Sequence, residues 1–195
     1  MNRILDAAEE QFGLHGFSGT TTRSISRASG LNMSMIKYYF GSKIGLYESV
    51  IRSRIEDFNT TYSALFPKDG TPDLDTFMDH YISWFSKHRN FFRLVNLEFS
   101  SAGMGYIKEI ISSAVKSNYI KMKAAIACGL SLESTDEHSP VFLYLTIFGL
   151  LQAYIENSPV YTLTAEMEGG GKLDPQKIKD YLHKLTKTVI NNNCI

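Results

Sequence analysis

A chain of 195 residues, 44% of them hydrophobic, is long enough for one large or two small domains with a real core. Its formal net charge of zero excludes a protein that coats nucleic acid along its whole surface. Two cysteines, Cys128 and Cys194, make no disulfide framework, and the longest apolar run, 141–153, is interrupted by Thr146 and Gln152 and falls short of the roughly 20 residues that span a bilayer. With no signal peptide ahead of them, the thiols are expected in a reducing cytoplasm, and no membrane segment is expected.

In chain order, Ile4, Leu5, Ala8 and Phe12 recur at helical spacing, Gly16 ends that helix, and Phe17 returns a ring to the same core. Thr20, Thr21 and Thr22 offer caps for a second helix, on which Ile25, Ala28 and Ser29 form a small, partly apolar face. Gly30 reaches the left-handed conformation at little cost, so the chain turns sharply there; Leu31 plugs the angle and Asn32 caps the next helix. That third helix, 33–40, buries Ile36 and Phe40 and leaves Met33, Ser34, Met35, Lys37 and Tyr38 facing elsewhere, a mixed face of the kind that enters a major groove. Gly41 and Ser42 break it, Ser42 caps a fourth helix, and Lys43 lies in the first turn.

The remainder reads as helices between short breaks. A long one over 44–65 ends at Pro67, Gly70 and Pro72; others cover 74–87, 90–100 and 106–127, the last closed by Gly129 and the polar SLESTDEHS. Ser139-Pro140 and Asp174-Pro175 each set a capping residue before a proline at the first helical position, which starts helices at 140–157 and 175–191. The first of these is apolar nearly all round and needs cover on more than one side; the second carries Ile178, Tyr181, Leu182, Leu185 and Val189 on one stripe. Glu168–Gly171 reads as a flexible loop. No strand pattern of period two stands out, so the fold class is all-α.

The stretch ILDAAEEQFGLHGFSGTTTRSISRASGLNMSMIKYYFGSKIGLYESVI resembles the amino-terminal domain of TetR-family transcriptional regulators. The likeness runs through about 48 residues in one register: the paired Thr, the Ala-Ser-Gly-Leu turn, the Tyr-Tyr-Phe close and the Ser-Lys after it. It implies an N-terminal three-helix helix-turn-helix DNA-binding domain over 1–46, with the motif at 20–39, and a C-terminal helical ligand-binding and dimerisation domain over 47–195. In it, Thr22, Arg23 and Lys43 would meet backbone phosphates and Tyr38 and Tyr39 the sugar-phosphate edge. Met33, Ser34, Met35 and Lys37 would face the bases, with Thr21 and Asn32 completing the DNA-contact set. Ser34 stands where relatives often carry a small residue or glycine, Lys37 where they usually carry tyrosine, so operator preference does not transfer. Gly45 stands where many have glutamate, so no capping box forms and that helix start is expected to fray.

Residues 1–54 carry seven basic against four acidic side chains, a net of plus three that leaves minus three for the rest. A basic end opposite an acidic body suits a protein that meets phosphates with one face. Further along, aromatic rings are frequent, and those able to line a cavity for a mostly apolar effector are Tyr81, Trp84, Phe85, Phe92, Phe99, Tyr106, Tyr144 and Phe148, with Asn96, Glu98 or tyrosine hydroxyls as polar contacts; most rings of this kind are plain core. By resemblance, the last two helices pair with a second copy as a four-helix bundle through Phe142, Leu143, Ile147, Leu150, Leu151, Tyr154, Ile178, Tyr181, Leu182 and Leu185; a monomer with an ordinary cover helix is the alternative.

Asp79, His80 and His88, or His138 near Asp136 and Glu137, lack the spacing of a helical metal site and read as surface groups. No phosphate-cradling loop, Gly-x-Ser-x-Gly elbow or Cys-x-x-Cys is present, so neither enzyme, cofactor nor metal is expected. The expected partners are a palindromic double-stranded DNA operator, a second copy of the chain and an unknown small-molecule effector that releases the DNA. The alternative function is a helical ligand-binding or interaction protein whose N-terminal module does not bind DNA specifically.

Overall fold

The computed structural model describes residues 2–65, 74–100, 105–130 and 139–155, and from the rest of the chain 167, 176–178, 180–182 and 184–185. The described residues hold eight helices and no strand: α1 Asn2–Gly19, α2 Thr22–Ser29, α3 Met33–Phe40, α4 Lys43–Ser63, α5 Leu74–Lys87, α6 Arg89–Ser100, α7 Gly105–Leu130 and α8 Ser139–Ile155. The protein is all-α. Residues 1–61 with 88–116 form one compact unit, and 62–87 with 117–195 a second.

In the first unit α1 packs on both α2 and α6. Ile4, Ala8 and Phe12 lie buried along its inner stripe with Ile25 of α2, Ile36 of α3 and Leu46, Tyr47, Val50 and Ile51 of α4. Each large side chain fully buried there stabilises by about 1.5–3 kcal/mol. Gly16 has φ 68° and ψ 174°, so α1 kinks where the sequence ends the helix and resumes for one more turn. That kink turns Phe17 back onto the core, its ring stacked 6.0 Å from Phe12 and edge-on to Tyr47 at 5.1 Å. Where α1 crosses α6, a Cβ on Gly13 would lie 2.5 Å from the Asn90 carbonyl oxygen, so only glycine allows the two backbones to come this close.

The same crossing buries charge. Glu9, on the margin of the α1 stripe, is paired with Arg54 of α4 and accepts the Phe91 backbone N–H at 3.2 Å, capping the first turn of α6. His88 stands between Glu9 and Asp57, at 3.8 and 3.7 Å, and Asp6 takes the other arm of Arg54. The surface role expected of His88 is therefore corrected: it is 8% exposed. Ala28, expected on the buried face of α2, is exposed, and Phe40 is only half-buried, because α2 and α3 are short and present one large apolar side chain each, Ile25 and Ile36, to the depth of the core, with the small Ser29 of α2 buried as well.

In the second unit α5 packs on α8. Phe77, Met78, Tyr81, Ile82, Trp84 and Phe85 of α5 are buried along with Tyr62, Met122 and Ile147. Tyr81 and Tyr144 share a hydrogen bond, and burial pushes both hydroxyls above their ordinary range. Val141, Phe142 and Leu145 of α8 stay exposed, an apolar face on a helix whose own sequence demands cover. Of the expected last helix, the described residues 176–178, 180–182 and 184–185 are helical, with Ile178 and Leu182 buried and Tyr181 exposed. The side chains of Leu143, Leu151 and Cys128, and the positions of Cys194, His138, Ala102 and 168–171, lie outside the described residues.

Candidate DNA-binding interface

The segment between α1 and α4 is built from caps. Thr21 Oγ1 accepts from the Ser24 backbone N–H at 3.0 Å while Ser24 Oγ accepts from the Thr21 N–H at 3.2 Å, a reciprocal capping box that starts α2. The sequence pattern does not announce Ser24 in this role, because the motif is ordinarily closed by a glutamate or glutamine. At the far end Gly30, at φ 66°, donates back to the Ser26 and Arg27 carbonyls, and Arg3 of α1 donates to the Ser29 carbonyl at 3.0 Å. Asn32 Oδ1 then accepts from the Ser34 N–H at 3.0 Å and opens α3. A tight, left-handed turn between two capped helices fixes their angle.

That angle leaves one face of α3 outside. Ile36 alone is buried; Ser34 and Lys37 are exposed, and so are Met33 at 46%, Met35 at 37%, Tyr38 at 83% and Tyr39 at 49%. Four large apolar or aromatic side chains on eight residues facing outward is an arrangement a monomer's packing does not explain. Arg23 and Thr21 are exposed on α2 and its cap, and Thr22 is half-buried. The expected contact residues are thus brought to neighbouring helices, although Thr21 and Asn32 also hold helix starts.

Lys43 behaves differently. Its Nζ donates to the Phe17 carbonyl at 2.7 Å and the Thr20 carbonyl at 2.8 Å and sits 4.1 Å from the Phe17 ring centroid. Two of three ammonium protons are directed to a carbonyl in the last turn of α1 and to that of Thr20 just after it, where a cation also meets the negative end of the helix dipole. Just beyond, Ser42 Oγ accepts from the Gly45 N–H at 3.1 Å, and a Cβ on Gly45 would lie 2.2 Å from the Phe40 carbonyl oxygen. The glycine read from sequence as a missing capping residue is what lets the end of α3 close against α4.

The expected pocket residues fall into two groups. Tyr81, Trp84, Phe85, Tyr144 and Phe148 belong to the second unit, with Tyr81–Phe85 centroids 4.5 Å apart, Trp84–Phe85 5.0 Å and Tyr144–Phe148 stacked at 6.0 Å. Phe92, Asn96, Phe99 and Tyr106 belong to the first, where Phe92 is buried, Asn96 half-buried and the other two exposed. Sequence reasoning missed two buried polar groupings, Glu9 with Arg54 and His88, and Tyr47 with Glu98. The signal was present: positions 4, 5, 8, 9, 12 and 91, 94, 98 each continue a buried helical stripe, so a glutamate at 9 or 98 falls on the inner face. Among the described residues no group of three His, Cys, Asp or Glu side chains is placed to hold a metal ion, and no helix is long and apolar enough to cross a membrane.

A helix-turn-helix with an exposed third helix, set on a helical body, defines a class of DNA-binding regulator. Residues 4–50 match the family described as bacterial regulatory proteins, tetR family. The HTH-type regulator YttP of Bacillus subtilis (strain 168) is 29% identical over 124 residues, 61% of this chain and 59% of YttP, so the match spans less than two thirds of that relative. The HTH-type transcriptional repressor SCO4008 of Streptomyces coelicolor is 22% identical over 194 residues, covering 97% of this chain and 94% of its own. In fold, the chain is similar to the transcriptional regulator FadR of Bacillus subtilis in complex with stearoyl-CoA, with a TM-score of 0.67, 16% identity and 97% of both chains covered. The N-terminal segment 4–50 thus matches the tetR family of bacterial regulatory proteins, and the relatives to which the chain is similar are named as transcriptional regulators.

Proposed function

We propose that the protein is a dimeric repressor that binds a palindromic operator through α2 and α3 and is released by a small, mostly apolar ligand. The observation that carries the reading is the outward face of α3, where Met33, Met35, Tyr38 and Tyr39 are exposed beside Ser34 and Lys37 while Ile36 alone anchors the helix. Helix geometry then divides the work: Arg23 and the two tyrosines position the module on phosphates and sugars, and the methionines lie against base edges. Dimerisation is supported by Val141 and Leu145, exposed on α8, and by Tyr181, exposed on the closing segment. A small apolar effector is supported by the ring-rich interior of the second unit and by the stearoyl-CoA bound to FadR. The domains at 1–46 and 47–195 belong to the same proposal.

A mobility-shift titration with the DNA upstream of the protein's own gene tests it. Saturable binding at nanomolar protein that survives excess unrelated duplex is the expected result. Binding no tighter than to unrelated DNA would instead favour a helical interaction protein whose first module has lost specificity.

A further inference from the structure

His88 is buried in the first unit immediately before α6, and the helix starts on it: its carbonyl accepts the Phe92 N–H at 3.1 Å. Both nitrogens of its ring face carboxylates, and on different helices. Nδ1 lies 3.8 Å from Oε1 of Glu9 on α1, and Nε2 lies 3.7 Å from Oδ2 of Asp57 on α4. A neutral imidazole carries one N–H, so in either tautomer the other nitrogen turns a lone pair toward a carboxylate; only the imidazolium serves both. The surrounding charges are mostly negative. Asp6 and Glu9 of α1 share the Arg54 guanidinium of α4, and Asp57 adds a third carboxylate beside the ring, while Lys87 and Arg89, on either side of His88 in sequence, are exposed.

The same joint reaches the helices of the candidate DNA interface. Oε1 of Glu9, the atom nearest Nδ1, also accepts the Phe91 N–H at 3.2 Å, so a single carboxylate oxygen ties α1 to the start of α6 by two routes. In turn α1 packs on both α6 and α2. When His88 gives up its proton, either Glu9 or Asp57 is left facing a ring lone pair, and the start of α6 loses its hold on α1 or on α4. Histidine is the side chain whose ordinary titration falls between pH 5 and 8, within reach of cellular conditions.

We propose that His88 is a proton-operated latch: charged, it ties the start of α6 to α1 and α4 at once and holds the arrangement that binds operator; neutral, it lets go of one of them and operator affinity falls. The latch stands on the geometry of the first unit, and its effect on operator rests on the DNA-binding reading above.

Affinity of the full-length protein for a duplex from the DNA upstream of its own gene, measured by fluorescence anisotropy at pH 6 and pH 8 and one ionic strength, tests that effect. The wild type should bind at least about fivefold more weakly at pH 8, and His88→Gln, uncharged throughout, should lose the difference and bind no more tightly than the wild type at pH 8. Equal wild-type affinity at the two pH values, or the full wild-type change in His88→Gln, would overturn the proposal. Should His88→Gln not fold, Asp57→Asn decides, because that carboxylate is the exposed one of the two: its loss should shrink the change to less than half, and an undiminished change rejects the latch. Nuclear magnetic resonance separates the two readings. Between pH 6 and 8 the Phe91 amide resonance should shift in step with the His88 ring protons in the wild type and stay put in His88→Gln. Such a shift without specific DNA binding at either pH keeps the latch and removes the regulator, whereas specific binding with a Phe91 resonance indifferent to pH does the reverse.

Discussion

At Lys43 the ammonium closes the end of α1, and substitution by methionine leaves the carbonyls of Phe17 and Thr20 without their charged donor. Charge-assisted bonds of this kind contribute about 1.5–3 kcal/mol, so Lys43→Met should lower unfolding free energy by an amount in that range in a denaturant titration. The phosphate role implied by family resemblance makes a different prediction, a salt dependence of DNA binding flatter by about one counterion. A slope that stays put while stability falls would take Lys43 off the list of phosphate contacts. Gly45 is the neighbouring case. Gly45→Ala forces the Phe40 carbonyl from its place, and a cost of about 1–3 kcal/mol with weaker specific DNA binding should follow; Gly45→Glu, despite supplying the capping-box residue of many relatives, should do no better. On α3, selection from random DNA should return A·T pairs beneath Met33 and Met35, whose side chains suit thymine methyl groups, and enrichment of G·C there would refute that contact.

Between elements, the crossing of α1, α4 and α6 is fixed by Glu9. Burial raises its carboxyl, but His88 and the Arg54 guanidinium outweigh that and hold it below its ordinary 4.5. A carboxyl depressed in the folded state takes up its proton more readily when unfolded, so its contribution is fully present above about 4.5 and is lost as pH falls through the lower folded value. Acid unfolding of the wild type should therefore steepen below that point, and Glu9→Gln should remove the steep part. At neutral pH the same variant should lose about 2–4 kcal/mol, less than a fully orphaned buried pair because Asp6 still holds Arg54. Identical acid profiles for the two proteins would exclude Glu9 as the group that titrates. Gly13, where α1 and α6 touch backbone to backbone, belongs to the same joint, and alanine there should separate the helices.

For the molecule as a whole, the exposed apolar face on α8 and the proposed operator with two-fold symmetry make one prediction. Leu145 is exposed, so Leu145→Glu should leave folding intact while light scattering shows the proposed dimer lost and specific DNA binding lost with it. A wild type that is monomeric at micromolar concentration would remove the basis for a palindromic site with its halves about 34–36 Å apart. Induction obeys reciprocity: a ligand that weakens operator binding tenfold must prefer the released state by about 1.4 kcal/mol, and operator must weaken ligand binding by the same factor.

The order of helices, the Gly30 turn, the Asn32 cap and the outward residues of α3 were legible in the sequence, because each depends on neighbours three or four positions away and on glycine's access to positive φ. Family resemblance added the functional reading of those same residues. Tertiary structure alone decided which charges are interior and what they meet. Glu9 finds Arg54 and His88, Glu98 finds Tyr47, and Lys43 turns inward to α1, in each case through partners 23 to 82 positions distant that no local pattern specifies. A charged residue on the edge of a helical stripe reads as solvated until the helix that covers it is known, and the cost of burying it without a partner appears only then.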